Sequence, residues 1–281
     1  MFSGGAHLLL CASLLKDKMK PIRYIACGDF QGETNVLVDS LPFIKDFKPD
    51  VFIIGGDFLD FDAISSFNNH KRNAVGLNSV LSDTRKEIEL GRKMLDWIRE
   101  AVGPKCRIVF LIGNHEERLE KFFFEYPQLF NDYTTLEGAL ELKKRNIEPV
   151  EQGGFVKMGK LYFMHGEKYG SDNFTKNAAL KCRKNVRLFH HHTNQSYMIT
   201  SELDRDEKIE VKSCGCMCGM APSYLRGQQN RWVNSFFFGY VLPDGNFQDF
   251  TLNVINGRII GPNGKVYGGN KRKAGRAGGK P

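Results

Sequence analysis

The sequence predicts an α/β fold in which a sheet covered on both faces is followed by a β-rich segment. Three observations carry that reading. The apolar runs Arg23–Cys27, Val51–Ile54 and Arg107–Ile112 each break at glycine into polar residues, the form of buried strands meeting loops. Stretches with helical periodicity separate them. From Ser196 onward the helical pattern stops, and runs rich in Tyr, Ile, Val and Phe alternate with turn signals.

Taken in order, Arg23–Cys27 opens onto Gly28-Asp29, and residues 34–47 form a weaker helical candidate bounded by Pro49. Val51–Ile54 ends at Gly55-Gly56-Asp57. Residues 84–102 place Ile88, Leu95, Ile98 and Val102 on one apolar stripe, which predicts an amphipathic helix. Arg107–Ile112 ends at Gly113-Asn114-His115, and residues 116–125 and 135–145 read as helices. Leu161–Met164 then ends at His165, and Val186–Phe189 at His190. Strands follow at 196–201, 207–213, 232–242 and 247–255, with Asp244-Gly245 and Asn256-Gly257 as turn signals, and these predict an antiparallel sheet. No repeat and no Pro- or Ser-rich linker interrupts the chain. We expect one layered domain over 19–268, a poorly ordered extension over 1–18 and a basic disordered tail over 269–281.

Composition narrows the class. A chain of 281 residues buries a large core without staples. The 40 Lys+Arg against 32 Asp+Glu leave a charge of +8, and residues 271–280 hold five of the cations with no acid and no large apolar side chain. Such a tail cannot bury enough surface to order itself; it either holds a polyanion such as nucleic acid or only solubilises the end. Seven cysteines, an odd number, argue against a disulfide framework. Cys214-Gly215-Cys216-Met217-Cys218 lacks the paired two-residue spacers of a zinc site, and strand alternation predicts three buried thiols on one face. No stretch reaches the ~18 apolar residues of a membrane span. The apolar run 8–15 lacks a preceding Lys or Arg, so Met19 is the expected start and the protein is expected to be soluble and intracellular.

The chemistry lies at the strand ends. In order they deliver Asp29 and Gln31, Asp57 and Asp60, Asn114 and His115, His165, then His190 and His192. Any one of these is unremarkable, since an isolated buried histidine is more often a satisfied core residue than a ligand. Five successive strand ends carrying oxygen donors and imidazoles describe a two-metal hydrolytic site, because ligands in such sheets gather beyond the strands' carboxyl ends.

This order resembles the calcineurin-like metallophosphoesterases, whose pattern runs D-x-H, G-D-x-x-D, G-N-H-E/D, H and G-H-x-H. The motifs span residues 22–193, with Gly113–Arg118 the most specific segment. Gly215–Cys218, Pro222-x-Tyr224 and Asn230-Arg231-Trp232 are similar to phage-encoded members. The resemblance implies a four-layer α/β/β/α sandwich and two divalent cations, Mn²⁺ first, with Fe, Zn²⁺ or Mg²⁺ as alternatives. It implies that Asp29, Gln31 and His192 hold one metal, that Asn114, His165 and His190 hold the other, and that Asp57 bridges them. His115 would protonate the leaving group, with Asp60 orienting its ring; Arg118 would contact substrate phosphate or serve as a helix-face charge.

Two departures stand out. Gln31 replaces a histidine, which weakens that site and shifts it toward Mn²⁺ or Mg²⁺. Phe189 replaces a glycine, which leaves open whether His190 and His192 or His192 and Asn194 form the final pair. The implied function is phosphate-ester hydrolysis. A phosphodiester is preferred, as in a nuclease or nucleotide phosphodiesterase; the alternatives are a phosphomonoesterase and a non-catalytic nucleic-acid-binding protein on a degenerate scaffold. No membrane partner is expected, and oligomeric state is not readable.

Overall fold

Side-chain parity along the strands sorts the core into layers, and the layers define the architecture. The structure is a computed structural model that describes residues 20–65, 76–127, 133–204, 208–221 and 229–269, together with the backbone of 7–9. The tail beyond 269, most of the 1–18 extension and the Pro222-x-Tyr224 segment lie outside the described residues.

One sheet contains β2 (Ile22–Cys27), β3 (Val51–Ile54), β4 (Arg107–Leu111), β5 (Ile147–Val150), β11 (Ser235–Val241) and β12 (Phe247–Asn253), in the order β12-β11-β2-β3-β4-β5. Its β2 to β5 are parallel, and β11 runs antiparallel to both neighbours. The other sheet runs β1 (His7–Leu9), β6 (Phe155–Met158), β7 (Leu161–Met164), β8 (Asn185–Leu188), β10 (Lys208–Ser213) and β9 (Gln195–Thr200), in that spatial order. Alternate residues of the first sheet face opposite ways. Tyr24, Ala26, Val51, Ile53, Val109 and Leu111 meet Val156, Met158, Leu161 and Phe163 of the second sheet between the two. Ile25, Cys27, Phe52, Ile54, Ile108 and Phe110 face instead α1 (Asn35–Phe47), α2 (Leu77–Val102) and α3 (Asn114–Glu125). On the far side of the second sheet, Val186, Leu188 and Val211 pack against α5 (Phe174–Cys182). Helices, sheet, sheet and helix form the expected α/β architecture of four layers.

Arg187 ties the middle layers together. It is wholly buried, pairs with Asp249 on β12 through two guanidinium nitrogens, and donates to Glu210 Oε2 at 3.1 Å. A buried cation persists only where such acceptors match it.

The structure departs from the sequence reading in several places. The four strands expected after Ser196 do not form one sheet of their own; the β9–β10 pair extends one sheet and the β11–β12 pair the other, while Arg258–Ile260 and Val266–Gly268 make a separate two-stranded antiparallel ribbon. Half-buried hairpins alternate in the same way wherever they dock, so sequence does not say which sheet receives them. The region expected as a helix over 135–145 contains α4 (Leu136–Ala139) and a 3₁₀ turn at Lys143–Arg145, broken where Glu141 and Asn146 take φ of 49° and 52°. α2 begins at Leu77, before the expected 84. β5, β6 and α5 are additional elements. Within the 1–18 extension, His7–Leu9 pairs in parallel with Phe155–Lys157. Phe236, Phe237 and Phe238 are all core, turned alternately to the two apolar layers.

Registry places the loops. Cys27 pairs with Ile54 and Ile54 with Phe110, so β2, β3 and β4 end side by side. Met164 pairs with Leu188, and Ser213 pairs with Leu188 from the other flank, so β7, β8 and β10 end together as well.

Candidate metal centre

Beyond these ends the loops take an unusual backbone. Asp29, Gln31, Asp57, His190 and His192 all have positive φ, between 48° and 70°. Such conformations cost a non-glycine residue about 1–3 kcal/mol each, and neighbouring loops hold them. Asp29 N donates to Gly56 O at 2.9 Å and Gln31 N to Asp57 O at 3.0 Å, so the first two loops are laced to each other. His191 N donates to Phe189 O at 2.8 Å, closing a γ-turn about His190. Phe189, where the resembling pattern has glycine, is buried with its ring against Gly55 and Gly28; a Cβ on Gly55 would lie 2.4 Å from it. Glycine at 55 therefore makes room for the ring, and the turn is kept.

Most of the expected residues fall into two adjoining groups. In the first, Asp57, His165 and His190 present carboxylate oxygen and ring nitrogens within 4.8 Å of one another. Asn114 Oδ1 is 3.1 Å from His165 Nε2, and His190 Nδ1 is 3.2 Å from the same nitrogen. His165 Nδ1 donates to Gly55 O at 2.8 Å, which aims Nε2 into the group. Burial pulls the His165 imidazolium down, but the nearby Asp57 carboxylate outweighs it and pushes its pKa up to about 10. Asp57, against its own burial, is held well below the usual carboxylate range by His165 and its neighbours. Two ring nitrogens 3.2 Å apart beside a carboxylate and an amide oxygen need either a shared proton or a cation between them. That donor set fits a divalent metal.

The second group holds Asp29, Gln31 and His192. His192 Nε2 is 3.4 Å from Asp29 Oδ1 and 3.4 Å from the Gln31 amide nitrogen. The Asp29 carboxylate also accepts from His190 N at 3.1 and 2.9 Å, joining the groups. The Asn194 side chain is occupied elsewhere: it accepts from Ser235 Oγ at 2.6 Å and donates to Asn253 Oδ1 at 3.0 Å. His190 and His192, rather than His192 and Asn194, face the carboxylates.

His115, on the first turn of α3, does not join the Asp57, His165 and His190 cluster. Its Nδ1 lies 2.9 Å from Asp60 Oδ1, and its Nε2 lies 3.7 Å from Asp57 Oδ2. Arg118 donates to Asp60 O at 2.8 Å and lies 3.1 Å from His115 Nε2. Arginine only donates, so in this state Nε2 accepts and the ring proton sits on Nδ1 toward Asp60.

Sequence reasoning gave no role to Glu116 and did not single out Glu87. The buried Glu116 carboxylate accepts four backbone N–H bonds: Phe58 at 2.7 Å and Leu59 at 3.2 Å on Oε1, Asp57 at 3.0 Å and Gly113 at 2.9 Å on Oε2. Burial and the Asp57 charge push its pKa up to about 7, against those donors. Glu87 of α2 accepts from Asp60 N at 2.6 Å and Phe61 N at 2.8 Å. A glutamate three residues after the helix-capping glycine is a capping signature that could have flagged Glu116. Glu87 sits among surface charges of a long helix and carries no such signal.

The cysteine segment also departs from its expected form. It is no strand with three thiols on one face. Cys214 points into the layer between the sheets, whereas Cys216 and Cys218 lie with His192 in a second cluster whose ligand atoms are all within 4.8 Å. The six described cysteines are free.

Among solved structures, a metallophosphoesterase from Sphaerobacter thermophilus aligns at 14% identity and a TM-score of 0.42, covering 82% of this chain and 86% of its own. A structure described as a novel archaeal phosphodiesterase aligns at 14% identity and a TM-score of 0.39, covering 82% of this chain and 99% of its own. No curated protein matches the chain. The profile named Calcineurin-like phosphoesterase matches residues 22–215, more than half of the sequence and the stretch that contains every strand end described above; the chain belongs to that family.

Proposed function

We propose that the chain is a dinuclear-metal-dependent phosphodiesterase, acting on the phosphodiester of a nucleotide or nucleic acid. The observation that supports it is the convergence of Asp57, Asn114, His165 and His190 beside Asp29, Gln31 and His192, with the His115–Asp60 pair at the rim. In this reading Asn114, His165 and His190 would hold one cation, Asp29 and Gln31 with His192 beside them would hold the other, and Asp57 would serve both. Mn²⁺ suits this mixture of oxygen and imidazole donors best. When bound, such a pair supplies an activated water and neutralises the phosphoryl oxygens.

The chain's own residues do the rest. Asp60 accepts from His115 Nδ1 and fixes the ring, as an orienting carboxylate does in other acid–base pairs. His115 becomes an acid when Nε2 gains a proton, which requires the Arg118 guanidinium to leave that nitrogen. A substrate phosphate offers the fork a better acceptor pair. Binding therefore frees His115 to protonate the leaving oxygen, and Arg118 serves both steps. Glu116 and Glu87 hold the loop from Asp57 to Phe61 in place.

The preference for a diester rests on the net charge of +8 and the cationic tail; the segment Gly215–Cys218 and the Asn230-Arg231-Trp232 run align the chain with phage-type members. The test is turnover of bis-p-nitrophenyl phosphate, p-nitrophenyl phosphate and single-stranded DNA by the Mn²⁺-loaded protein. Diester cleavage is expected. Turnover of the monoester alone would remove the diester reading, and salt-sensitive DNA retention without any turnover would favour a binding protein.

A further inference from the structure

We propose that His192, Cys216 and Cys218 form a thiolate-rich site for a thiophilic divalent cation of the Zn²⁺ type, adjoining the phosphoesterase centre but separate from the Asp57 group. The fold builds it deliberately. β10 ends in register with β8, so the chain after Ser213 emerges at the same edge as the His190–His192 loop. Met217 N then donates to both Gly28 O and Asp29 O at 3.1 Å, and Cys216 N donates to Val233 O at 2.8 Å. Asn234 donates to Cys216 O at 3.1 Å and Cys218 O at 2.8 Å, clasping the turn that carries both thiols. Gly215 permits this: a Cβ there would lie 1.7 Å from Val233 O.

The three ligand residues are 0%, 1% and 4% exposed for Cys216, Cys218 and His192. Their donor atoms lie within 4.8 Å of one another, with Cys218 Sγ 3.9 Å from His192 Nδ1. Tetrahedral Zn²⁺ with ordinary Zn–S and Zn–N bonds separates its ligand atoms by about 3.6–3.8 Å, a contraction of a few tenths of an ångström for that pair. His192 is suited to the task because its two nitrogens face different ways. Nδ1 faces sulfur, while Nε2 faces Asp29 Oδ1 and the Gln31 amide at 3.4 Å each. An Nε2–H donated to Asp29 is the carboxylate–histidine–metal arrangement that orients ligating imidazoles. The Trp232 ring stands edge-on to His192 at 4.2 Å between centroids and shields it.

The assignment has a consequence for Gln31. With His192 turned to sulfur, Asp29, Gln31 and Asp57 are left as an all-oxygen set, which suits Mn²⁺ or Mg²⁺ and needs no imidazole.

The experiment uses the full chain loaded with Co²⁺ and, separately, with Zn²⁺. Expected are a thiolate-to-cobalt charge-transfer band and an X-ray absorption shell of sulfur at about 2.3 Å from zinc. Both are lost in Cys216→Ser and Cys218→Ser and kept in Cys214→Ser. Should those variants fail to fold, alkylation of the unaltered protein gives the same information, since Zn²⁺ should slow modification of Cys216 and Cys218 by at least tenfold relative to metal-free protein. Absence of the band and of the sulfur shell, or equal alkylation with and without Zn²⁺, overturns the proposal. Diester turnover is read separately, so turnover without sulfur ligation refutes this site alone, and sulfur ligation without turnover refutes only the proposed activity.

Discussion

Replacing Glu116 by glutamine changes one atom and isolates what the buried carboxylate does. Each of its oxygens accepts two backbone N–H groups, from Phe58 and Leu59 on one side and from Asp57 and Gly113 on the other. A glutamine amide keeps one oxygen and turns an NH₂ toward the other pair, whichever way it is flipped. Two buried donors then lose their acceptor, at about 1–3 kcal/mol each. Loss of the repulsion with Asp57 offsets on the order of 1 kcal/mol. The expected net cost is about 1–5 kcal/mol, read as a lower urea midpoint with unchanged slope. Metal occupancy should fall as well, because the loop that carries Asp57 loses its clasp. Glu117→Gln is the control: its partner is the exposed Lys121 at 2.9 Å, and the change should stay within about 0.5 kcal/mol. An unaltered midpoint and full metal content in Glu116→Gln would show that the carboxylate does not hold the loop.

Other outcomes follow from contacts already described. His115→Asn should lower diester turnover by about 10²–10⁴-fold with metal content retained; loss of metal in parallel would make His115 structural. Arg187→Met leaves the buried Asp249 carboxylate with only the longer Lys212 contact at 3.6 Å and should cost up to about 3–5 kcal/mol in urea unfolding, and Arg187→Met with Asp249→Leu should recover most of it. The pH dependence has a definite sign. Burial lowers the His165 and His192 imidazoliums, yet Asp57 and Asp29 outweigh it and push both to about 10, above the ordinary 6.5. These histidines therefore stabilise the metal-free protein fully below pH 6.5, and that contribution fades as pH rises toward 10. A cation at the Asp57 group displaces the His165 proton, so calorimetric affinity for Mn²⁺ should increase across that window, with proton release at its lower end. A flat or falling affinity would mean that His165 is not displaced.

The sequence made the parallel strands and their polar ends legible because both signals are local: an apolar run ending at glycine is read within ten residues. The same holds for His165, His190 and Asp57, each placed by the strand it follows. What was not legible depends on partners far along the chain. Phe189 was suspect as a glycine replacement, and only Gly55 and Gly28 opposite it show how the ring is housed. The cysteine segment alternates like a strand, but Asn234 and Val233 bend it into a turn toward His192. Arg187 reads as one charge in a strand; Asp249, 62 residues away, makes it the clamp between sheets.

The left-handed backbone at Asp29, Gln31, Asp57, His190 and His192 limits how this protein can be altered. Glycine or asparagine would relax any of these positions, yet each such exchange discards or changes a donor atom. Attempts to raise thermal tolerance by consensus or entropy-based substitution should therefore leave these five alone and act on the helical shell. Conversely, a variant library selected only for heat resistance is expected to lose cation binding first, since unstrained loops are the easiest gain on offer.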